Sequence, residues 1–189
     1  MKTRAELKTA AKNQLRGNWG IAIGALIVYA LIVAVSSFIS WLIAPPMFIG
    51  LLLVYMGIVN KGGADFADLF KGFNILGKAV WLQIITAFFV FLWSLLFVIP
   101  GIIKALSYSM APYILAENPG MTARQALRES KRIMKGNIGR LFVLILSFIG
   151  WVILCGLTFG ILYLYVAPYY QATLVNFYND VKGSQPAAA

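Results

Sequence analysis

Residues 17–60 read GNWGIAIGALIVYALIVAVSSFISWLIAPPMFIGLLLVYMGIVN and contain no charged residue. A helix needs about 20 predominantly apolar residues to cross the hydrocarbon core of a bilayer. The stretch is therefore long enough for two membrane spans. Pro45 and Pro46, which follow Ala44, predict where the first helix ends, because proline lacks the amide donor and clashes with the preceding turn. The stretch thus predicts a transmembrane helical hairpin.

Two other regions of the chain repeat this pattern. Residues 79–103 and 105–116 are uncharged and are separated by Lys104, and residues 141–179 form another uncharged stretch. Pro100-Gly101 divides the first of these regions, and the glycines at 156 and 160 divide the second. We therefore expect about six transmembrane helices in three hairpins, with spans near residues 19–42, 45–60, 79–99, 101–117, 138–156 and 159–178.

The composition also predicts an all-α membrane protein. Of the 189 residues, 61% are hydrophobic and 12% are charged, and the mean hydropathy is +0.82. A soluble domain has about 25% charged residues, and one of this size cannot bury so much apolar surface. We expect a single transmembrane domain over residues 1–183, followed by a disordered C-terminal tail over residues 184–189.

The distribution of basic residues predicts the topology. The chain has 16 Lys and Arg against 6 Asp and Glu, and the basic residues lie in short blocks between the apolar runs. If both termini are cytoplasmic, every basic residue except Lys104 lies on the cytoplasmic side, as the positive-inside rule requires. Lys104 then lies near the outer end of a span, where its ammonium group can reach the headgroups. This pattern favours a membrane topology signal over a nucleic-acid-binding surface.

The segments before the first and last hairpins resemble each other. Residues 3–6 and 122–125 both form a capping box, in which a Thr side chain and an acid or amide satisfy free helix donors. Residues 16–20 and 135–139 both read as a basic residue followed by Gly-Asn-x-Gly, and one offset of 119 aligns both pairs. Residues 65–74 form a weaker third copy. Glycine and asparagine commonly end a helix in a left-handed cap.

Each hairpin is thus preceded by a basic amphipathic cytoplasmic helix that stops at a glycine. Such a helix lies in the membrane interface, with its apolar residues in the acyl boundary and its basic residues toward anionic headgroups. The alternative is that these segments are ordinary cytoplasmic linkers whose charges set the topology. The residues expected to contact anionic lipid or a partner are Lys8, Lys12, Arg16, Lys71, Arg124, Arg128, Lys131, Arg132 and Lys135.

Several short motifs together resemble a known family. They are LRGNWG at 15–20, IPGII at 99–103, YSM at 108–110, SKRIMKG at 130–136, SFIGW at 147–151, PYY at 168–170 and FY at 177–178. As a set, they resemble the integral membrane protein family of unknown function numbered 975, which is bacterial and mainly Gram-positive. The resemblance spans nearly the whole chain. It implies a bacterial plasma-membrane protein, and it supplies no accepted activity and no catalytic residue.

The side chains that most enzymes need are scarce. The chain has no histidine and a single cysteine, Cys155, so zinc or copper sites and Ser-His or Cys-His nucleophile pairs are not expected. All six acids lie on segments predicted to be cytoplasmic. We therefore expect no enzyme, no catalytic residue, no cofactor and no metal site.

Two functions remain. The leading hypothesis is a non-enzymatic membrane protein that binds or organises anionic lipid, a membrane-protein partner or a second copy of the chain. The alternative is a small transporter or permease-like subunit with a pathway between the hairpins, lined by Gln83, Thr86, Lys104, Gln171 and Asn176. A water-filled cavity lined by the four uncharged residues of this set would favour the transporter. A dry bundle with amphipathic helices flat on the inner face would favour lipid binding.

Overall fold

The computed structural model describes residues 2–35, 40–96, 98–158 and 160–184. Every regular element in these ranges is helical, which confirms the all-α prediction. Residues 185–189 of the predicted tail lie outside them. The elements are α1 (Arg4–Leu15), α2 (Trp19–Val35), α3 (Ser40–Lys61), α4 (Asp68–Lys71), the 3-10 turn η1 (Gly72–Ile75), α5 (Leu76–Leu96), α6 (Val98–Tyr108), α7 (Ala111–Glu117), α8 (Ala123–Met134), α9 (Ile138–Leu146), α10 (Ile149–Leu157) and α11 (Tyr163–Gly183).

Among the described residues, three helical stretches are long and apolar enough to cross a membrane: Trp41–Lys61, Asp68–Leu95 and Ile138–Leu157. The pair α1 and α2, bent by 94° at the break between them, makes a fourth candidate if the pair counts as one span. A multi-pass membrane protein is consistent with this result. The other predicted spans do not meet the same criterion of length and composition.

The predicted repeat is confirmed for α1 and α8. Thr3 and Thr122 cap these helices, and each makes the reciprocal hydrogen bonds of a capping box. Both helices have 12 residues. Each is followed by a glycine in the left-handed region, with φ of +85° at Gly17 and +84° at Gly136. The offset of 119 therefore relates two copies of one folded unit, from the cap to the start of the next helix.

The third copy differs from the prediction at Gly72, which was expected to stop its helix. Gly72 has a φ of −60°, and the chain continues through η1 into α5. The glycine is needed for space instead. A Cβ on Gly72 would lie 1.9 Å from the carbonyl oxygen of Pro46, and one on Gly50 would lie 1.8 Å from that of Leu69. The small residues let the backbone of α4 and η1 approach that of α3.

The predicted break at Pro45 and Pro46 is wrong, because both prolines lie inside α3. Helix α2 is described as far as Val35 and α3 from Ser40, and residues 36–39 lie outside the described residues. The prolines remove the amide donors that would bond the carbonyls of Trp41 and Leu42. Membrane helices tolerate such losses because neighbouring groups can satisfy the freed carbonyls. Sequence reasoning gave the prolines too much weight as helix terminators.

In the other two hairpins, the helix breaks lie closer in sequence to the predicted positions. Helix α5 ends at Leu96 and α6 begins at Val98, so Pro100 lies in the first turn of α6 rather than at the break. Gly160 lies between α10 and α11 with a φ of +83°, as its role at the turn predicts. Two predicted spans are interrupted instead of continuous, at residues 109–110 and at residues 147–148.

The three units pack in a cyclic order. The units comprise α1–α3, α4–α7 and α8–α11, and each begins with its short helix. In every case this helix packs on the last helix of another unit: α4 on α3, α8 on α7, and α1 on α11. The helices that follow contact the same units, because α5 contacts α3, α9 contacts α6, and α2 contacts α11. The contacts of α1 and α2 with α11 close the ring.

The last helices of the units form the centre. Helix α3 contacts both α7 and α11, and the rings of Tyr113 and Tyr178 stack at 5.7 Å between α7 and α11. The apolar window of Trp41–Lys61 is 61% buried within the protein, whereas that of Ile138–Leu157 is only 17% buried. Large apolar side chains are exposed on the outer helices, among them Val35 (84%), Leu95 (74%) and Leu157 (72%). This surface is typical of helices that face lipid.

Polar contacts join the two ends of the chain. The carboxylate of Asp180 accepts hydrogen bonds from the backbone amide of Lys2 at 2.9 Å and from the guanidinium of Arg140 at 2.7 Å. Burial would raise the pKa of this carboxyl, but the bonds from Arg140 and Lys2 hold it below its usual value. The side chain of Asn179 also donates to that of Asn60 at 2.6 Å. These contacts place the start of α1 and the ends of α3 and α11 on one side of the bundle.

The close approach of α3 to α4 and η1 can be tested with Gly50→Ala and Gly72→Ala. Each new methyl group meets backbone atoms that cannot move away cheaply, so we expect each variant to lose about 1–3 kcal/mol of stability. The measurement is the midpoint of thermal unfolding in detergent. Gly77→Ala in α5 is the matched control, because no atom lies within 4 Å of its added Cβ. Equal midpoints for all three variants would contradict this packing.

Candidate functional site: a groove between α5 and α8

The amphipathic character predicted for α8 is confirmed. Its apolar side chains are buried against α5, α6 and α7, and the hydroxyl of Ser130 donates to the carbonyl of Ser107 at 2.8 Å. This differs from the expectation that these side chains lie in the acyl boundary, since protein already covers them. The same holds for α1, whose apolar face packs on α11 and α3. The buried apolar residues of α8 are Ala123, Ala126, Leu127, Ile133 and Met134.

A groove runs between the exposed side of α8 and the outer face of α5. Arg124, Arg128 and Lys131 line it from α8. They lie at positions i, i+4 and i+7, which place them on one face of a helix. The groove has a volume of about 790 Å³. Its remaining wall is apolar and aromatic, and consists of Trp81, Ile84, Ile85, Phe88, Phe89, Tyr108 and Leu127.

The wall contributed by α5 is open to the surroundings. Trp81 is 49% exposed and Phe88 is 60% exposed. Exposed apolar surface of this extent in a soluble protein marks an interaction site. In a membrane protein it faces acyl chains. The groove thus combines an apolar wall with a row of cations at its edge.

The cations of the groove are not neutralised by the nearby acid. Glu129 pairs with Arg132, whose guanidinium donates to both carboxylate oxygens at 2.7 and 2.9 Å. This hydrogen bond lowers the pKa of Glu129, so the pair stays ionised and self-contained. No carboxylate within the described ranges forms a salt bridge with Arg124, Arg128 or Lys131. These three side chains are available to an anion.

The other predicted basic residues do not join this groove. The ammonium of Lys8 donates to the carbonyl of Ser147 at 2.9 Å and lies 4.1 Å from the ring of Phe148, and burial lowers its pKa. Lys71 pairs with Asp68 at 2.5 Å. Lys12, Arg16 and Lys135 are exposed elsewhere on the surface. Only three of the nine residues predicted to contact lipid therefore lie in one site.

The residues of the predicted transport pathway are separated from one another. Gln171 accepts a hydrogen bond from Tyr113 at 3.1 Å, and the amides of Asn176 and Gln14 bond each other. The ammonium of Lys104 lies 4.5 Å from the ring centre of Trp93. Only Gln83 and Thr86 line a common cavity. The four uncharged residues expected to surround a single cavity therefore do not do so.

Sequence reasoning missed the contribution of α5 to the groove. Among the residues of α5, it singled out only Gln83 and Thr86 as candidate site residues. The spacing of Trp81, Ile84 and Phe88 places them on one helix face, which could have indicated a common surface. That this surface adjoins the cations of α8 depends on tertiary packing and has no local signal.

Comparison with known proteins identifies part of the chain. Residues 95–185 match a family model described as "Protein of unknown function (DUF975)". The motif resemblance is therefore confirmed over this range, which includes Tyr108 and the three cations of the groove but not the apolar face of α5. No curated protein and no solved structure matches the chain.

The position of Lys104 predicts the behaviour of Lys104→Leu. Its one described partner is an aromatic ring, and such a contact contributes about 0.5–1 kcal/mol at an exposed site. We expect the variant to insert into membranes at a normal level and to unfold within a few degrees of the wild type. Membrane fractionation and thermal unfolding measure these properties. Failure to insert would mean that the charge does more than anchor the helix.

Proposed function

We propose that this chain, which belongs to the uncharacterised family 975 over residues 95–185, is a non-enzymatic membrane protein that binds anionic lipid in the groove between α5 and α8. The observation that carries the proposal is the row of Arg124, Arg128 and Lys131, unpaired with any described carboxylate, beside an exposed apolar helix face. The lack of histidine and the single cysteine support a binding role over catalysis.

An anionic phospholipid matches both parts of the groove. Guanidinium groups bind phosphate through charge-assisted, often bidentate hydrogen bonds, and Arg124 and Arg128 lie one helical turn apart. The acyl chains of the same lipid can lie along Trp81, Ile84 and Phe88. An acidic soluble partner would use the cations but leave this apolar wall uncovered. The groove therefore favours a lipid over an acidic protein.

We further propose six spans in three hairpins, in a bacterial plasma membrane, with both termini cytoplasmic. The cyclic order of the units supports this topology, because each unit places one outer and one central helix side by side. Helix α11 misses the apolar criterion, but its polar residues Thr173 and Asn176 are buried and hydrogen bonded within the protein, so this part of the helix need not face lipid. The contact between Lys2 and Asp180 supports termini on the same side, and the positive-inside rule favours the cytoplasm for that side.

The lipid site predicts a charge-selective loss of binding. Near an anionic surface each basic residue contributes about 1 kcal/mol, so replacing Arg124, Arg128 and Lys131 together with Gln should weaken binding by up to about 100-fold. Native mass spectrometry of the full-length protein with added phosphatidylglycerol measures this effect. Adducts with phosphatidylcholine should be few in both proteins.

The matched control replaces Lys12, Arg16 and Lys135 with Gln, which removes the same net charge outside the groove. This variant should keep most of its phosphatidylglycerol adducts. If both triple variants lose binding equally, the attraction is a general effect of charge, and the groove is not a site. If neither loses binding, the cations of α8 do not contact lipid.

The topology predicts opposite labelling at the turn of the first hairpin and at the position that follows the last helix. In a Cys155→Ala background, Ser184→Cys should be protected from a membrane-impermeant thiol reagent added to intact cells, and Ser37→Cys should react. Disruption of the cells should make position 184 reactive. Reaction of Ser184→Cys in intact cells would reverse the proposed orientation.

A further inference from the structure

A second cavity lies on the other face of α5. It has a volume of about 490 Å³ and lies between α5, the start of α3 and α6, with α2 and α7 at its edges. This volume is in the range of about 300–1,000 Å³ found for ligand sites. Five polar side chains contribute to its lining, from Tyr29, Gln83, Thr86, Tyr108 and Ser109.

All of these except Ser109, whose hydroxyl donates to the carbonyl of Leu106 at 2.8 Å, have no hydrogen-bond partner in the described part of the chain. Some polar groups of the central helices do have one: Tyr55 donates to the carbonyl of Ala22 at 3.1 Å, and Thr173 to that of Tyr169 at 2.8 Å. Gln83 and Thr86 lie within the candidate span Asp68–Leu95. A polar group without a partner in an apolar environment costs free energy. The concentration of such groups in one cavity therefore points to an occupant that pairs with them.

The chemistry of the cavity restricts its occupant. None of the described residues that line it is charged, so an anionic or cationic ligand would be left without a counter-charge. Phe48 and Pro45 contribute apolar walls, and Trp41, which is 67% exposed, forms the rim. The cavity thus lies between two candidate membrane spans and opens beside exposed apolar surface. These features fit an uncharged amphiphile that enters from the bilayer.

We propose that this cavity binds the uncharged headgroup of a diacylglycerol-type lipid. The amide of Gln83 and the hydroxyl of Thr86 pair with the free hydroxyl and the ester carbonyls of the glycerol unit. Its acyl chains leave past Trp41 into the bilayer. Tyr108 borders both this cavity and the groove of α8, but the other lining residues of the two sites differ. The two sites therefore recognise different headgroups and can be tested separately.

The test uses the full-length protein in phosphatidylcholine nanodiscs with a photoactivatable diacylglycerol. We expect labelling on peptides of α3 and α5, and at least a fivefold loss of labelling in the double variant Gln83→Leu, Thr86→Val. Both replacements keep the approximate side-chain volume and remove the polar atoms. The thermal unfolding midpoint of the variant should match that of the wild type. The triple Gln variant of the α8 cations should keep its diacylglycerol labelling, and the double variant should keep its phosphatidylglycerol adducts.

Several results would overturn the proposal. Labelling no stronger than that by a photoactivatable phosphatidylcholine would mean that water or bulk lipid fills the cavity. Labelling confined to α9 and α10 would indicate non-specific contact with the exposed surface. Unchanged labelling in the double variant would remove the role of Gln83 and Thr86. Cross-linked dimers in place of lipid adducts would assign this face to a second copy of the chain. Phosphatidylglycerol binding is measured separately. None of these results therefore decides whether the groove of α8 binds anionic lipid.

Discussion

The contact between α1 and α11 joins the first helix of the chain to the last, and the cyclic arrangement depends on it. Leu7, Ala11 and Leu15 are buried in this region, and α1 packs on α11 along its length. Reciprocal amide hydrogen bonds between Gln14 and Asn176 fix one end of the contact, and Asp180 fixes the other. Without this contact the units would form an open row, in which Asn176 would lose Gln14 and Asp180 would lose the amide of Lys2.

Closure of the ring explains how polar and apolar residues are distributed. The central helices carry hydrogen-bonded polar side chains, because neighbouring helices supply the partners that lipid cannot. The outer helices expose large apolar side chains. Helix α5 is an outer helix that pairs with α6 and has α8 on one face and α3 on the other. The cationic groove and the uncharged cavity follow from these two neighbours, since α8 brings Arg and Lys and α3 brings Trp, Pro and Phe.

The sequence predicts the parts of this structure that depend on local chemistry. Capping boxes at Thr3 and Thr122 and left-handed glycines after α1 and α8 are encoded within a few residues, and they were found. The break assigned to Pro45 was wrong because the cost of a proline depends on what surrounds the helix. The role of Gly72 was wrong because its contact with Pro46 is visible only after folding. To predict the groove, one must know which helix α8 lies beside. No local sequence pattern contains that information.

The side chains of Asn60 and Asn179, which are equivalent under the repeat offset of 119, provide the most direct test of the cyclic packing. They belong to different units and hydrogen bond each other at 2.6 Å. The measurement is disulfide formation in native membranes by the variant Asn60→Cys, Asn179→Cys in a Cys155→Ala background, with each single-cysteine protein as a control. Cyclic packing predicts an intramolecular disulfide in most of the monomer under mild oxidation. A monomer in which both thiols remain free and reactive would contradict it.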